Sequence, residues 1–364
     1  MVLVFQGGGA LGAYQAGVYQ ALHEAGIEPD WVIGTSIGAI NASLIAGNAP
    51  ENRLQRLKEF WERMEHRPMF PAASMIPGLG DALARFSTIT SGIPGFFKPN
   101  PMAFLDNNLH LGPDSASYYS TAPLEETLKD LVDFSSINSG SPRLTVGAAN
   151  VRTSEMRYFD SRDMSLDHRH IMASGALPPA FPAVRIDDEL YWDGGILSNT
   201  PVEAVFDDAP RNNSLVFAVH IWNPHGPEPT TIGQVLNRQK DIQYSSRAVS
   251  HVARQKQLHR LRHIVKELSV LLPQDLQDEP RVREMMGYGC LTRMHVVRLL
   301  APGLENEDHT KDIDFSASGI RARWTAGYAD TREVLEQKPW IGQFDPLEGV
   351  ILHEAKPGAF VTTA

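Results

Sequence analysis

Two glycine-rich segments near the start of the chain carry residue types that could do chemistry. The first, FQGGGALG at residues 5–12, directly follows a short apolar run. A strand that leads into glycines at this spacing is typical of a loop whose backbone N–H groups hold negative charge. That charge could be the pyrophosphate of a dinucleotide or the oxyanion of an acyl-transfer intermediate. The loop alone therefore leaves a nucleotide-binding module and an acyl hydrolase as alternatives.

The end of the next predicted strand separates these alternatives. A dinucleotide-binding fold needs an acidic residue there, about 20 residues beyond the glycines, to bind a ribose. Glu28 and Asp30 instead precede the strand at 31–33, which runs directly into the segment GTSIG at 34–38. The sequence therefore favours the acyl hydrolase, with a nucleotide-binding regulatory module kept as an alternative function.

Ser36 stands in a G-x-S-x-G pattern between a strand and a helix, which is the setting of a nucleophile elbow. Gly34 and Gly38 supply the small neighbours that such a sharp turn requires. The carboxyl ends of neighbouring parallel strands share one crevice, so the glycine loop at 7–12 can face this serine. We therefore expect Ser36 to be the nucleophile and the loop to stabilise an oxyanion.

A serine nucleophile also needs a base, and two residues are candidates for that role. Asp193 closes a predicted strand and is followed by Gly194 and Gly195, whose small size lets the backbone approach closely. His220 lies near the end of the predicted strand at 214–222. The residue types alone leave open whether the carboxylate or the imidazole accepts the proton.

Three separated blocks of the chain resemble, in their order and spacing, those of the patatin-like phospholipase family. They are GGGALG at 7–12, GTSIG at 34–38 and DGG at 193–195, and the segment ASGALPPAFPAV at 173–184 is also similar. The resemblance covers roughly residues 1–222 and is to a bacterial member with a C-terminal extension. Leu11 stands where many members carry Arg or Lys.

The resemblance implies a Ser–Asp catalytic dyad without histidine, in which Ser36 is the nucleophile and Asp193 its base. It implies an oxyanion hole formed by the glycine loop, namely Gly7, Gly8, Gly9, Ala10 and Gly12. It also implies hydrolysis of a fatty-acyl ester, such as a phospholipid or lysophospholipid, through an acyl-enzyme and without a metal or organic cofactor. A carboxylesterase or an acyltransferase acting on short or polymeric esters is the alternative chemistry for the same residues.

The elements that must position these residues indicate an α/β fold. Strands are predicted at 2–5, 30–34, 143–151 and 214–222, and a helix is predicted at 10–25. Strands that alternate with helices at this spacing imply a parallel sheet covered by helices. We therefore expect a three-layer α/β/α architecture with a mainly parallel central sheet, patatin-like, and a helical insertion.

The chain is predicted to comprise a catalytic core at 1–222, a mainly helical insertion at 223–292, and a C-terminal strand and helix at 293–364 that complete the domain. Within the insertion, residues 238–266 carry eight Lys or Arg and one Asp, with apolar residues at helical spacing. A basic amphipathic helix of this kind either lies on an anionic membrane surface or packs on the protein by its apolar stripe.

Two further features of the sequence bear on the pocket and on metals. The segment at 68–105 is rich in proline yet apolar, and either packs on the core or forms a lid over an apolar substrate pocket. His251, His259 and His263 lack carboxylates at ligand spacing, so we interpret them as surface residues and expect no metal site.

The composition excludes several classes of protein. The formal net charge of −10 argues against nucleic acid as the main partner. Cys290 is the single cysteine, which rules out a disulfide within the chain and a metal site of paired thiolates. The chain starts without a basic, apolar leader and has no apolar run of membrane-spanning length. We therefore expect a cytoplasmic protein, with peripheral contact to a membrane as an option; the sequence does not give its oligomeric state.

Overall fold

The central feature of the fold is a ten-stranded sheet. The computed structural model describes residues 1–65, 88, 90–304, 307–356 and 359–363. Its strands are β1 (Val2–Phe5), β2 (Trp31–Gly34), β3 (Lys98–Pro99), β4 (Tyr119–Ser120), β5 (Arg143–Asn150), β6 (Met156–Asp160), β7 (Val184–Ile186), β8 (Glu189–Asp193), β9 (Ser214–His220), β10 (Met294–Leu300), β11 (Val350–Lys356) and β12 (Ala359–Thr363). The order across the sheet is β12-β11-β10-β9-β1-β2-β5-β8-β7, with β6 also paired to β5, while β3 and β4 form a separate pair.

Helices cover this sheet. The α-helices are α1 (Ala13–Glu24), α2 (Ile37–Ala46), α3 (Pro50–Met64), α4 (Ala122–Leu131), α5 (Phe134–Asn138), α6 (His168–Ser174), α7 (Glu203–Phe206), α8 (Ile232–Leu271), α9 (Gln274–Gln277), α10 (Pro280–Met286) and α11 (Ala317–Gln337). Short 3₁₀ helices occur at Gly9–Gly12, Pro101–Phe104, Gly194–Ile196 and Lys311–Ile313.

The pairing of the strands confirms the expected mainly parallel sheet. From β11 through β10, β9, β1 and β2 to β5, every neighbouring pair is parallel. Antiparallel pairs are confined to the two ends, where β12 joins β11 and where β6, β7 and β8 assemble around β5. The last two strands at this end of the sheet, β11 and β12, are additions that the sequence pattern did not indicate.

The two faces of β1 show why helices pack on both sides of the sheet. Leu3 and Phe5 belong to a large apolar cluster that includes α1, α2 and α3. Val2 and Val4 point the other way, into a second cluster that includes Val252 of α8. Because successive side chains of a strand alternate between faces, a continuous apolar strand requires cover on both. The three-layer architecture predicted from the sequence is thus confirmed.

The basic segment at 238–266 lies within α8, which packs on the second face of the sheet. The interpretation of His259 and His263 as surface residues is wrong, because both side chains are buried. The ring of His259 packs edge-on against Phe206 at a centroid distance of 6.0 Å. His263 places its two ring nitrogens 3.0 and 2.9 Å from backbone oxygens. His251 stays near the surface, 3.5 Å from a carboxylate oxygen of Glu203.

The proline-rich segment at 68–105 falls only partly on the described residues, since 66–87 and 89 lie outside them. Of its aromatic side chains, Phe96 and Phe97 are buried and Phe104 is exposed. Across the part of the chain that the structure covers, no helix combines the length and the apolar character that crossing a membrane would require.

Candidate active site

Ser36 occupies a strained turn between β2 and α2. Its φ of 56° and ψ of −125° are rare for a residue with a side chain, and such a conformation costs about 1–3 kcal/mol. The turn is tight because a Cβ on Gly34 would lie 2.3 Å from the backbone of Gly38. The Ser36 N–H donates to the backbone oxygen of Ser174 at 3.1 Å and to its Oγ at 3.0 Å. These contacts hold the serine at the start of α2.

Asp193 reaches Ser36 because two strands meet end to end along β5. β2 pairs in parallel with the first half of β5 and ends with Gly34 opposite Val146. β8 runs in the opposite direction and ends with Asp193 opposite Ala148. β6 occupies one edge of this stretch of β5, so β2 and β8 share the other edge, with their carboxyl ends facing. Ser36 and Asp193 consequently line the same cavity.

The carboxyl group of Asp193 is buried and lies in an unusual electrostatic environment. Burial raises its pKa from 3.8 to about 7, and hydrogen bonds from the Gly195 N–H and the Ser36 hydroxyl lower it only in part. The Gly195 nitrogen lies 2.7 Å from Oδ1. A pKa near neutral suits a general base, which must be ionised at the working pH yet still accept a proton.

The glycine loop forms one wall of the same cavity. Gly7, Gly8 and Gly9 line it, and the N–H groups of Gly8 and Gly9 meet no acceptor among the described residues. Gly9 has a φ of +55°, and a Cβ there would lie 2.2 Å from the carbonyl oxygen of Asp312. Only glycine fits that position without movement of the backbone.

The remaining loop residues lie behind the cavity wall. Ala10 is fully buried, and a Cβ on Gly12 would meet the side chain of Ile37 at 2.6 Å. Neither residue lines the cavity. The helix expected at 10–25 instead begins as a 3₁₀ turn at Gly9–Gly12 and becomes α-helical at Ala13. Leu11, at the position where a basic residue was considered, is a buried apolar side chain.

His220, the alternative base, does not reach the cavity. Its side chain is on the face of β9 that also carries Val216 and Ala218, where it lies near Val252 of α8. Burial, and secondarily Arg298, lowers its pKa to about 3. Within the described ranges the structure holds no group of three His, Cys, Asp or Glu side chains that could bind a metal ion.

The cavity is a largely apolar space of about 230 Å³ beside Ser36. Aromatic side chains dominate its lining: Phe96, Phe97, Tyr119, Phe181, Trp222, Tyr244 and Phe315. No Lys or Arg among the described residues lines it. A polyphosphate would therefore find no cationic partner in the cavity, whereas an acyl chain would find apolar contacts.

Several of the lining residues that lie late in the chain were not foreseen from the sequence. Tyr244 comes from α8, Asp312 and Phe315 come from the segment before α11, and Trp222 follows β9. Their local sequence carries no motif, because they reach the cavity only through long-range packing. The C-terminal third of the chain thus completes a site whose motifs all lie before residue 200.

Comparisons with known proteins point to one protein family. The family model described as patatin-like phospholipase matches residues 3–206, and a second model, described as patatin phospholipase, matches 242–347. The patatin-like phospholipase domain-containing protein 7 of Rattus norvegicus is 37% identical over 246 residues, which is 65% of this chain and 15% of that protein. The lysophospholipase nte1 of Aspergillus terreus is 24% identical over 259 residues, or 65% of this chain and 14% of that protein.

This chain therefore spans about one seventh of the length of these curated relatives. Among solved structures, VipD from Legionella pneumophila is similar with a TM-score of 0.37 and 17% identity, over 92% of this chain and 66% of that one.

Proposed function

Because the chain belongs to the patatin-like phospholipase family, we propose that it is a serine acyl hydrolase that cleaves fatty-acyl esters of the phospholipid or lysophospholipid class. Ser36 is the nucleophile and Asp193 the base. The observation that carries this proposal is the pairing of a serine at a strained elbow with a buried carboxyl whose pKa is raised to about 7. The relatives named as phospholipases and lysophospholipases support the substrate class.

The reaction runs in two halves. The Ser36 hydroxyl attacks the ester carbonyl carbon while Asp193 accepts its proton, and the N–H groups of Gly8 and Gly9 donate to the oxyanion that forms. Collapse of this intermediate expels the alcohol, which takes the proton from Asp193 and leaves Ser36 acylated. A water molecule then attacks the acyl group while Asp193 accepts its proton, and Asp193 returns that proton to the Ser36 oxygen as the fatty acid leaves.

The apolar lining of the cavity supports a long acyl group rather than a short one. Phe96 and Phe97 contact Phe181 at ring distances of 5.6 and 5.3 Å, and together they form an apolar wall. Each methylene group buried against such a wall contributes about 0.8 kcal/mol. Hydrolysis should accordingly improve with chain length until the cavity is filled.

The test of this proposal is the variant Ser36→Ala, compared with Ser43→Ala as a matched control on the same helix. Both changes remove one hydroxyl, but the Ser43 hydroxyl only donates to the backbone oxygen of Ile40 at 2.8 Å. We expect Ser36→Ala to abolish hydrolysis and fluorophosphonate labelling, and Ser43→Ala to retain both. Full activity in Ser36→Ala, or labelling at another serine, would refute the mechanism.

A panel of phospholipids, lysophospholipids, acylglycerols and p-nitrophenyl esters of increasing chain length then separates the alternatives. A preference for short chains would favour a carboxylesterase. Acyl transfer to an added alcohol in preference to water would favour an acyltransferase. Binding of NAD or ATP in equilibrium dialysis would favour the nucleotide-binding module.

We further propose that α8, which contains residues 238–266, contacts a lipid surface. An apolar stripe at alternating spacings of three and four residues runs along its second half and ends on the residue that follows the helix: Leu258, Leu261, Val265, Leu268 and Leu272. All but Val265 are exposed. Arg254 is an exposed cation on the same helix, whereas Arg260 pairs with Glu348 at 2.5 Å. An exposed apolar stripe beside cationic side chains is the pattern by which a helix lies on an anionic membrane.

A further inference from the structure

The carbonyl group of Gly7 is held by two buried side-chain donors. The Asn199 amide nitrogen Nδ2 donates to the Gly7 oxygen at 3.0 Å, and the Trp222 indole nitrogen Nε1 donates to the same oxygen at 2.7 Å. Both side chains are buried, with Trp222 only 1% exposed. Two donors on one carbonyl oxygen satisfy both of its lone pairs and fix its direction.

Fixing this oxygen also fixes the next N–H group. A peptide unit is planar and trans, so the Gly8 N–H points opposite to the Gly7 carbonyl. That N–H has no acceptor among the described residues, and Gly8 lines the cavity beside Ser36. Glycine peptides rotate at little steric cost, so an unanchored Gly7–Gly8 unit could turn its oxygen toward the cavity instead. A carbonyl oxygen in that place would repel an oxyanion.

Trp222 is itself held through both its backbone and its ring. The side chain of Gln6, which is fully buried, accepts from the backbone N–H of Trp222 at 2.9 Å. Tyr244 packs on the indole at a centroid distance of 4.9 Å, and Nζ of Lys311 lies 5.3 Å from the ring centroid. The indole N–H therefore has one orientation, toward Gly7.

Asn199 forms hydrogen bonds with both the carbonyl oxygen and the N–H group of Gly7. Besides donating through its amide, it accepts the Gly7 N–H on its backbone oxygen at 3.1 Å. Asn199 follows Asp193 by six residues in the chain, so one loop carries both the proposed base and this anchor. The hydroxyl of Thr35, next to Ser36, donates to the backbone of Ser198 in the same loop at 3.3 Å.

We propose that Trp222 and Asn199 are positioning residues that lock the Gly7–Gly8 peptide with the Gly8 N–H directed at the oxyanion of the reaction. This inference rests on the proposed hydrolase function. Both residues lie outside the recognised motifs, and their role is to keep an oxyanion donor preorganised. Preorganised donors act on the transition state, so their loss lowers kcat and leaves KM nearly unchanged.

The test is Trp222→Phe, which keeps an aromatic ring against Tyr244 but removes the N–H donor. Trp31→Phe is the matched control, because the Trp31 indole is also buried and donates at 2.7 Å, to Oγ1 of Thr145. Trp31 starts β2, whereas Ser36 follows the other end of the same strand. We expect kcat to fall at least tenfold in Trp222→Phe, less than the ~100–1,000-fold loss of an oxyanion donor itself. Trp31→Phe should keep the wild-type kcat.

A trifluoromethyl ketone with a fatty-acyl chain supplies the second readout, because its adduct with serine carries an oxyanion. Its affinity should fall in Trp222→Phe by the same factor as kcat, and remain unchanged in Trp31→Phe. Asn199→Leu removes the other donor and should show the same selective loss of kcat, which covers the case in which Trp222→Phe does not fold.

Three results would overturn the inference. An unchanged kcat in folded Trp222→Phe and Asn199→Leu would show that the anchors do not matter. Equal losses in Trp222→Phe and Trp31→Phe would show a general effect of a lost buried hydrogen bond. Hydrolysis that survives Ser36→Ala would refute the proposed function as well, whereas the first two results leave that function standing.

Discussion

Replacing Asp193 by Asn should make the protein inactive and, at neutral to alkaline pH, more stable. Asn keeps the shape of the side chain and an oxygen that can accept the Gly195 N–H, which lies 2.7 Å from Oδ1. It cannot take the proton of Ser36, so hydrolysis should fall by several orders of magnitude. It also cannot ionise, and ionisation is what burial makes unfavourable at this position.

The size of the stability gain expected for Asp193→Asn follows from the raised pKa of Asp193. In the folded protein the carboxyl has a pKa of about 7, against 3.8 as its ordinary value. The folded state therefore binds this proton more tightly than the unfolded state. The resulting stability is fully present below about pH 4 and is lost as the pH rises to about 7. A pKa difference of about 3 corresponds to about 4 kcal/mol, which is the upper limit of the gain expected for Asp193→Asn at pH 8.

The assay is denaturant unfolding of both proteins at pH 4 and pH 8. The stability advantage of Asp193→Asn should be present at pH 8 and disappear toward pH 4. Asp160→Asn is a control of opposite sign: burial raises the pKa of Asp160, but hydrogen bonds from Arg143 and Thr145 outweigh it and lower the pKa overall. That variant should be less stable than wild type at pH 8, and the deficit should shrink in acid.

The activity of the wild type supplies an independent measurement of the same group. The value of kcat/KM should rise with pH through about 7, as Asp193 loses its proton. If Asp193→Asn is no more stable than wild type at pH 8, ionisation of the buried carboxyl does not destabilise the fold. If the variant hydrolyses esters at a substantial fraction of the wild-type rate, Asp193 is not the base.

Three further predictions concern other parts of the molecule. His220→Ala should keep kcat near the wild-type value and lower only the melting temperature; a folded but inactive variant would make the imidazole the base. Gly9→Ala should lose about 100-fold in kcat together with stability, because its Cβ would meet the Asp312 carbonyl at 2.2 Å, and unchanged turnover would separate the loop from the reaction. Leu261→Gln combined with Leu268→Gln should weaken sedimentation with phosphatidylglycerol vesicles, relative to Ile341→Gln, without changing turnover of a soluble ester. Equal vesicle binding, or a dimer in wild type that the double variant dissociates, would assign the stripe to another role.

The fold was predictable from the sequence where local signals coincide with tertiary packing. The strand at Val2–Phe5 is continuous and apolar because it is buried on both faces, and it has the expected bounds. The start of α1 was misplaced because Gly9–Gly12 adopts a 3₁₀ turn, which helix propensity does not reveal. The buried positions of His259 and His263 were missed because they depend on tertiary contacts: His259 packs against Phe206, and the ring nitrogens of His263 lie beside backbone oxygens distant in sequence.

Only the site residues that belong to recognisable motifs could be predicted from the sequence. Ser36 and Asp193 could be named from their glycine neighbours, and their catalytic roles stay predictions until the variants are measured. Tyr244 and Asp312 could not be named, because they arrive from α8 and from the turn before α11. Reciprocal ion pairs fasten these two segments to each other: Lys240 with Asp312 and Lys311 with Asp241, each at 2.7 Å. Contacts of this kind depend on the final packing and leave no periodicity in the sequence.

The end-to-end meeting of β2 and β8 on β5 makes turnover a reporter of strand register. Asp193 is placed by its pairing with Ala148. A slip of one residue in this ladder would turn the carboxyl to the opposite face of the sheet, and a slip of two would move it about 7 Å along β5. Either error would leave the strand content, and hence the circular dichroism, almost unchanged. For a refolded preparation, specific activity should therefore detect a shifted register of β8 that circular dichroism would not distinguish from the native fold.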